Sequence, residues 1–512
     1  MIRSAFLAAV AAASVTAAFP AQASWVEASS RHFVVVGDMS PQEAQGWAGE
    51  LERLDRVLRI ATSTPDSEST PSARVTVYVV PSIGSVQKLA GNANVGGFYH
   101  ADAQGFVAVT PRFIGNEFWQ ASPQDVLFHE YTHHILLSST DTDFPDWVHE
   151  GFAEFFGTAQ FERNGDMILG GLPVGRGFAL GETNQMSPEE LFTASESVLS
   201  NNDIELAHMY SRGWAMIHML MLKKDRQGQL TTYLQLIARG ADPVSAGKQA
   251  FGDLGRLDGD LNGYVRQPHF QSLRIAAEKM PVGAITVRQL RPCEAQIINV
   301  RMRSAAGVTE KSAPDVAADA ERAVVGCEKD AFVQRTLTEA EYDAKHDDAA
   351  MAAADRTLAL EPTNIMAMVY KGRVYARRKD WANARSWLIK ANRQDPNYAL
   401  PLVLYYDSFV HAGEKPTAAA TAGLYRAIVL APQDNAVRLR VARSLIAEGD
   451  LKRARTLLAP VAALSEHGKN KAAGDILKLI DQGKDSATVL AEADKAKWNK
   501  IGDDSGDEPK AN

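Results

Sequence analysis

The feature that most constrains the fold is the pentapeptide of residues 129–133, in which two histidines enclose Glu130, Tyr131 and Thr132. Residues i and i+4 of an α-helix lie one above the other on the same face. A helix over this segment therefore directs the imidazoles of His129 and His133 toward a single point, with Glu130 beside them. The pattern predicts a helix that carries a compact group of chemically active side chains.

The flanking residues predict where the helices begin and end. Ser122 is a favourable N-cap, Pro123 suits the first helical position, and Asp125 completes a capping box. The run 138–141 is typical of a turn and predicts the end of this helix. A second helix is predicted from Trp147 to about Ala159.

The two predicted helices together offer a complete set of metal ligands. Zinc in hydrolases takes three protein ligands and keeps a fourth position for water. His129 and His133 supply two imidazoles, and Glu150, on the second helix, supplies a carboxylate. His149 is an alternative third ligand. The residue types therefore predict one bound Zn²⁺.

In these residues the chain resembles the gluzincin metallopeptidases of clan MA, in particular the peptidase MA-like families. Those enzymes combine HExxH on one helix with a zinc-binding glutamate in an E-G-x-A-E element on the next, here Glu150 to Glu154. The metzincin pattern does not fit, because Leu136 and Ser139 stand where its glycine and third histidine belong. The resemblance covers roughly residues 24–265 and implies an α+β zincin-like metallopeptidase domain.

The resemblance also implies roles for the neighbouring residues. Glu130, next to a ligand and not itself a ligand, is placed to act as general base. Gluzincins often stabilise the oxyanion with a tyrosine or histidine of a later helix, and Tyr210 resembles that residue, with His208 as the substitute. Glu154 is predicted to orient a ligand histidine through its second ring nitrogen, the alternative being a solvated surface carboxylate.

Upstream residues predict a sheet. Residues 32–36 and 74–80 are rich in β-branched side chains and are predicted strands, with a helix over 40–60 between them. Residues 96–100 and 105–109 predict a hairpin just before the HExxH helix. In similar families such a strand forms the wall of the cleft, where an extended peptide pairs with it by backbone hydrogen bonds. A plain sheet strand is the alternative.

The amino terminus predicts export. Arg3 precedes an apolar stretch over 5–18, and residues 21–23 form an A-x-A cleavage site, so residues 1–23 are predicted to be a secretory signal peptide. The mature protein is then periplasmic or secreted. No other long uncharged apolar run occurs, so no transmembrane segment is predicted. The formal net charge of −8 at pH 7 argues against binding nucleic acid.

The sequence contains two cysteines, Cys293 and Cys327. In an exported chain a disulfide between them is reasonable, and two free thiols are the alternative. Neither lies near HExxH in the sequence, so no catalytic or metal role is assigned to them.

Residues 266–335 are interpreted as a connector of uncertain fold. Residues 284–300 have a strand-like pattern, and residues 304–320 are small, polar and typical of a loop. At the other end, residues 481–512 are charged and predicted to be a disordered tail.

Residues 336–480 carry repeats. Pro362 and Pro396 are 34 residues apart, and Pro432 follows at a similar interval. Several small and apolar residues between them resemble tetratricopeptide positions at the right offsets: Gly372, Tyr375, Ala384, Leu388 and Ala391. The pattern predicts an all-α tetratricopeptide-repeat solenoid of about three to four repeats, with a generic stack of helical hairpins as the alternative. Solenoids of this kind present a concave surface to partners.

Two functions of different classes follow. The first is an exported zinc peptidase that cuts a peptide or protein substrate, with the repeats recruiting substrate or a protein partner. The second is a catalytically inactive scaffold with the metallopeptidase fold, which acts through its repeats. A zinc hydrolase of non-peptide amides is a third possibility. Because every ligand precedes the repeats, the catalytic domain is expected to fold and bind zinc without residues 336–480.

Overall fold

A computed structural model describes residues 25–495 except 67–69, 92–95, 113–121, 140, 141, 143, 175, 183, 184, 196–198, 200, 201 and 464–470. The predicted signal peptide, residues 1–23, lies outside the described residues, as do residues 496–512 of the predicted tail.

The amino-terminal half is built on a six-stranded sheet with the order β4-β5-β3-β2-β1-β9. Its strands are β1 (Trp25–Ser29), β2 (Phe33–Asp38), β3 (Val75–Val80), β4 (Phe98–Asp102), β5 (Gly105–Pro111) and β9 (Thr286–Gln289). Strands β2, β3 and β5 are parallel, whereas β4 pairs antiparallel with β5 and β1 with β2. The predicted strands over 32–36 and 74–80 are present as β2 and β3, and the predicted hairpin is β4–β5. Strand β4 is an edge of the sheet.

Ten helices of the described residues accompany this sheet and a smaller one. The helices are α1 (Pro41–Thr62), α2 (Ile83–Ala90), α3 (Pro123–Ser139), α4 (Asp146–Gly157), α5 (Gly177–Gly181), α6 (Pro188–Thr193), α7 (Asp203–Leu222), α8 (Gln229–Ala238), α9 (Pro243–Phe251) and α10 (Leu254–Val265). The smaller sheet has the order β6-β7-β8, with β6 (Gln160–Phe161), β7 (Met167–Leu169) and β8 (Leu273–Ile275). One hydrophobic core joins α1, α3, α4 and α7 to one face of the large sheet, and Trp147 and Trp214 are fully buried in it.

The prediction of a connector over residues 266–335 is wrong in its local structure. Strands β8 and β9 belong to the two sheets, so this segment completes the amino-terminal half. Helix α11 (Pro292–Ala305) covers the second face of the large sheet with Ile298 and Met302. The supposed loop over 304–320 runs into helix α12 (Ala313–Val324). Its buried face consists largely of alanine, and so small an apolar face resembled a loop in the sequence.

The remaining described residues form paired helices. These are α13 (Ala331–Asp343) with α14 (Asp347–Leu360), α15 (Ile365–Arg377) with α16 (Trp381–Gln394), α17 (Ala399–His411) with α18 (Ala418–Leu430), α19 (Asn435–Glu448) with α20 (Leu451–Ala463), and α21 (Lys471–Asp481) with α22 (Ser486–Lys495). We call α13 to α20 the repeat array. The predicted repeat positions Ala384, Leu388 and Ala391 are buried between neighbouring helices. The array has the tetratricopeptide-like arrangement that the sequence predicted.

The predicted disordered tail begins too early. Helix α22 lies within residues 481–512, packs against α19, and buries Val489 and Ala493. These two apolar residues lie one helical turn apart and form the face by which α22 joins the stack.

The described part of the chain contains no helix that is both long enough and apolar enough to cross a bilayer.

Candidate metal centre

The HExxH residues lie on α3, whose start is fixed as the sequence predicted. The Ser122 hydroxyl accepts a hydrogen bond from the Asp125 backbone at 3.1 Å, and the Ser122 backbone donates to the Asp125 carboxylate at 2.9 Å. This reciprocal pair is a capping box, and it satisfies two amide groups that a helix start leaves unpaired. The helix runs from Pro123 to Ser139.

Three predicted ligands converge between α3 and α4. The Nε2 atoms of His129 and His133 are 3.2 Å apart. Nε2 of His129 lies 3.4 Å from Oε2 of Glu150, and Nε2 of His133 lies 3.5 Å from Oε1. Each residue thus offers one ligand atom, and these atoms all lie within 4.8 Å of one another.

These spacings are close to those between the donors of a tetrahedral zinc site, with the two histidines approaching different oxygens of Glu150. For a metal about 2.0–2.1 Å from each donor, tetrahedral geometry sets neighbouring donors about 3.3–3.4 Å apart. The Oε2 atom of Glu150 is also buried and makes no hydrogen bond of acceptable geometry. A buried carboxylate oxygen without a partner is costly, and coordination to a cation would remove that cost. The donor set and the unpaired oxygen both suit a divalent metal.

The electrostatics of Glu150 favour its ionised form. Burial alone would raise the pKa of Glu150, but its interactions with His133 and His129 outweigh burial and hold that pKa well below its ordinary value. An ionised carboxylate is the form that binds a metal. His149, the alternative ligand, is outside this group and packs against Phe144, and burial lowers its pKa to about 4.

Glycines bring α4 against its neighbours. A Cβ atom on Gly151 would lie 2.6 Å from the backbone oxygen of Gly213 in α7, and one on Gly157 would lie 3.3 Å from Cβ of His129. A separation of 2.6 Å is shorter than real Cβ contacts, so only a glycine at position 151 permits the contact between α4 and α7. The same contact sets α7 beside Glu150.

Helix α7 presents Tyr210 to the site. The Tyr210 ring stacks on His129 with 6.5 Å between centroids and 7° between planes. The guanidinium carbon of Arg176 lies 4.5 Å from the centroid of the Tyr210 ring. Arg176 also binds the Glu154 carboxylate, with Nε 2.9 Å from Oε1. Glu154 is buried rather than solvated, and the structure pairs it with an arginine that the sequence analysis did not select. Arg176 lies in a loop-like stretch without a motif, so no sequence signal marked it.

His208, Glu130 and the two cysteines were also singled out in the sequence. The His208 side chain binds Glu182, with 2.8 Å between Nε2 and Oε2. Glu130 is half-buried, and its charge adds to the effect of burial in raising the pKa of Tyr99 in β4 well above its usual value. Cys293 and Cys327 form a disulfide that links α11 to the turn after α12.

A second group of possible ligands is His32, Glu52 and Asp55. In this group the carboxylates of Glu52 and Asp55 are already paired with other side chains of the protein. His32 Nδ1 lies 2.8 Å from Glu52, and both oxygens of Asp55 lie 2.8 Å from Nε of Arg59. Tyr131 of α3 donates a hydrogen bond to Asp55 at 2.6 Å. This group is an ion-pair network that anchors α3 to α1, and a metal would have to displace an arginine.

Comparisons with known proteins cover parts of the chain. Residues 125–244 match a family model described as a protein of unknown function (DUF1570). No curated protein matches the chain. A thermophilic TPR protein from Thermus thermophilus is similar at 18% identity over 39% of this chain and 99% of that one, with a TM-score of 0.30. Yeast Tom70 is similar at 15% identity over 62% of this chain and 69% of that one, with a TM-score of 0.26. The repeat array itself is defined by the helix pairs of this chain.

Proposed function

We propose that the protein is an exported zinc-dependent peptidase. The observation that carries the proposal is the convergence of His129, His133 and Glu150 at spacings of 3.2–3.5 Å, with a buried Glu150 oxygen that makes no hydrogen bond of acceptable geometry. The comparisons name no peptidase, so the proposal depends on this geometry and on the HExxH resemblance. The arrangement of residues around the three ligands supports it.

The residues of the site would divide the work. A zinc ion held by His129, His133 and Glu150 would supply a Lewis acid and an acidic water. Glu130, one position from a ligand, would take the proton of the attacking water and return it to the leaving amine. The Tyr210 hydroxyl would donate a hydrogen bond to the developing oxyanion, since its ring stacks on His129.

Substrate would bind along β4. This strand pairs only with β5 among the described strands, so its second edge offers backbone donors and acceptors to an extended chain. Tyr99 of β4 contacts His134, which directly follows a ligand in α3. A peptide on the edge of β4 would therefore lie near the HExxH helix, α3.

The proposed compartment is the periplasm or the exterior of the cell. The predicted signal peptide motivates this proposal, and the disulfide between Cys293 and Cys327 is compatible with it.

A catalytically inactive scaffold is the second candidate. The repeat array supports an interaction role, because repeats of this type serve protein binding. The matched family has no assigned activity that would favour hydrolysis.

Zinc content and digestion of casein test the two candidates on the full chain. We expect about one zinc per chain and casein cleavage by the wild type. Glu130→Gln should keep the zinc and lower turnover by roughly 10²–10⁴-fold, because an amide does not accept the water proton. Glu189→Gln, on an exposed glutamate of α6, is the matched control and should leave turnover unchanged. Equal turnover in Glu130→Gln and wild type would refute the assignment, and a zinc-free, inert wild type would favour the scaffold.

A further inference from the structure

The tip of the β4–β5 hairpin, residues 102–105, lies against the repeat array. Ala103 is 6% exposed and belongs to the same hydrophobic cluster as the array helices. Its backbone amide donates a hydrogen bond of 2.8 Å to Asp434, which caps α19. The hairpin tip is thus buried by a part of the chain more than 300 residues away.

Gln104 makes further contacts with the array. Its backbone oxygen accepts a hydrogen bond from the Tyr398 hydroxyl at 2.9 Å. Its side-chain amide lies 3.3 Å from Glu339, and its side-chain oxygen lies 3.4 Å from Arg373. Counted with Asp434, these partners come from four successive helix pairs. Glu339 and Arg373 lie on the first helix of their pairs, and Tyr398 and Asp434 lie directly before it. We call the surface formed by these four residues the first-helix face.

The first-helix face therefore binds the hairpin as a receptor binds a peptide turn. It forms hydrogen bonds with backbone groups of Ala103 and Gln104. It holds the Gln104 side chain between Glu339 and Arg373, and it buries the Ala103 side chain. Repeat arrays use an extended surface of this type for partners. In this chain, the occupant of that surface is the chain's own hairpin.

The same array also touches the HExxH helix. Gln433, the neighbour of Asp434, donates from Nε2 to the backbone oxygen of His134 at 2.9 Å and lies 3.1 Å from its Nδ1. Tyr99 of β4 contacts the same Nδ1 at 2.5 Å. Gln433 of the array thus binds α3, and its neighbour Asp434 binds the tip of the β4–β5 hairpin.

We propose that the repeat array is an intramolecular clamp, whose ligand is the hairpin tip 102–105 and whose role is to fix the edge strand β4 against the HExxH helix. The first-helix face is accordingly not a vacant surface for partners, and Asp434, Gln433 and Tyr398 are positioning residues for substrate. Only the effect on substrate depends on the proposed peptidase function.

Hydrogen–deuterium exchange of residues 98–111 tests the clamp in the full chain. Tyr398→Phe removes one hydroxyl that donates to Gln104, and Gln104→Ala removes the two side-chain contacts. Each should accelerate exchange in this segment by about 2–10-fold, the effect of losing a net hydrogen bond. Tyr425→Phe is the matched control, because that hydroxyl bonds Ser444 inside the array. Exchange in Tyr398→Phe equal to that in Tyr425→Phe would overturn the proposal.

Zinc content and peptide kinetics complete the test. The clamp variants should keep zinc at the wild-type level, because no ligand contacts the removed groups. For a peptide substrate, KM should rise several-fold while kcat stays nearly constant, which a general loss of folding would not produce. Faster exchange with an unchanged KM would overturn the positioning role. If the wild type neither binds zinc nor cuts peptides, the peptidase proposal fails, and the exchange experiment alone then decides whether the hairpin is the array's ligand.

Discussion

Replacing Gly151 by alanine should separate α4 from α7 and loosen the metal centre. The new Cβ would lie 2.6 Å from the backbone oxygen of Gly213 and 2.7 Å from its carbonyl carbon. Ordinary contact begins near 3.4 Å, so the two backbones must part by about 0.8 Å. Overpacking of this kind costs about 1–3 kcal/mol. Because the clash is with backbone, rotation of a side chain does not relieve it.

Gly259 provides a control substitution for Gly151→Ala. Gly259 lies within α10 and has nothing within 4 Å of an added Cβ. Gly259→Ala should stabilise the protein by about 0.5–1 kcal/mol through helix propensity alone. That gain is common to both variants, so their free energies of unfolding in urea should differ by about 1–3 kcal/mol. Zinc affinity should fall about 10–100-fold in Gly151→Ala, the range seen when support of a ligand is lost, and stay constant in Gly259→Ala. Equal stability and equal zinc affinity in the two variants would refute the argument.

Three further outcomes are expected. Tyr210→Phe should lower kcat by about 10²–10³-fold with unchanged zinc content, measured by peptide turnover and metal analysis; full activity would assign the oxyanion to another donor. The pKa of His134 is about 3 in the folded chain, against 6.5 for the unfolded chain. As the pH drops, the unfolded chain therefore binds a proton at a higher pH than the folded chain does. The free energy of unfolding of the metal-free chain should therefore decline from pH 6.5 toward pH 3, and less steeply in His134→Gln; parallel curves would exclude His134 as a cause. Loss of the disulfide through Cys293→Ala with Cys327→Ala should cost about 3–4 kcal/mol for a loop of this length, read from urea unfolding, and an unchanged midpoint would contradict it.

The structure argues against one expectation from the sequence, that the catalytic part is independent of residues 336–480. Asp434 and Gln433 hold the hairpin tip and α3, and Ala103 is buried by the array. Removing the repeats would expose these groups. These contacts were not anticipated, because no local pattern records a contact between residues so far apart in sequence, and the behaviour of the truncated chain stays a prediction.

Local chemistry sufficed for several elements. The capping box at Ser122 and Asp125 predicted the start of α3, because its hydrogen bonds join residues three positions apart. The i, i+4 spacing predicted that His129 and His133 face one point, and the 34-residue period predicted the helix pairs. In each case a short-range rule of backbone geometry decides the outcome.

Other elements were invisible to such rules. Arg176 has no motif, and only the fold stacks it on Tyr210 and pairs it with Glu154. Residues 284–300 showed a strand-like pattern, but only 286–289 form a strand, β9, and the sequence did not indicate that it pairs with β1 some 260 residues away.

The sequence by itself determined the donor types, the helix that carries two of them, and the period of the repeats, since periodicity and capping are properties of neighbouring residues. Tertiary structure alone decided that Glu150 meets both histidines at 3.4–3.5 Å, that Gly151 admits α7, and that the array grips the hairpin. These depend on the packing of separate elements, where a shift of less than 1 Å separates contact from clash.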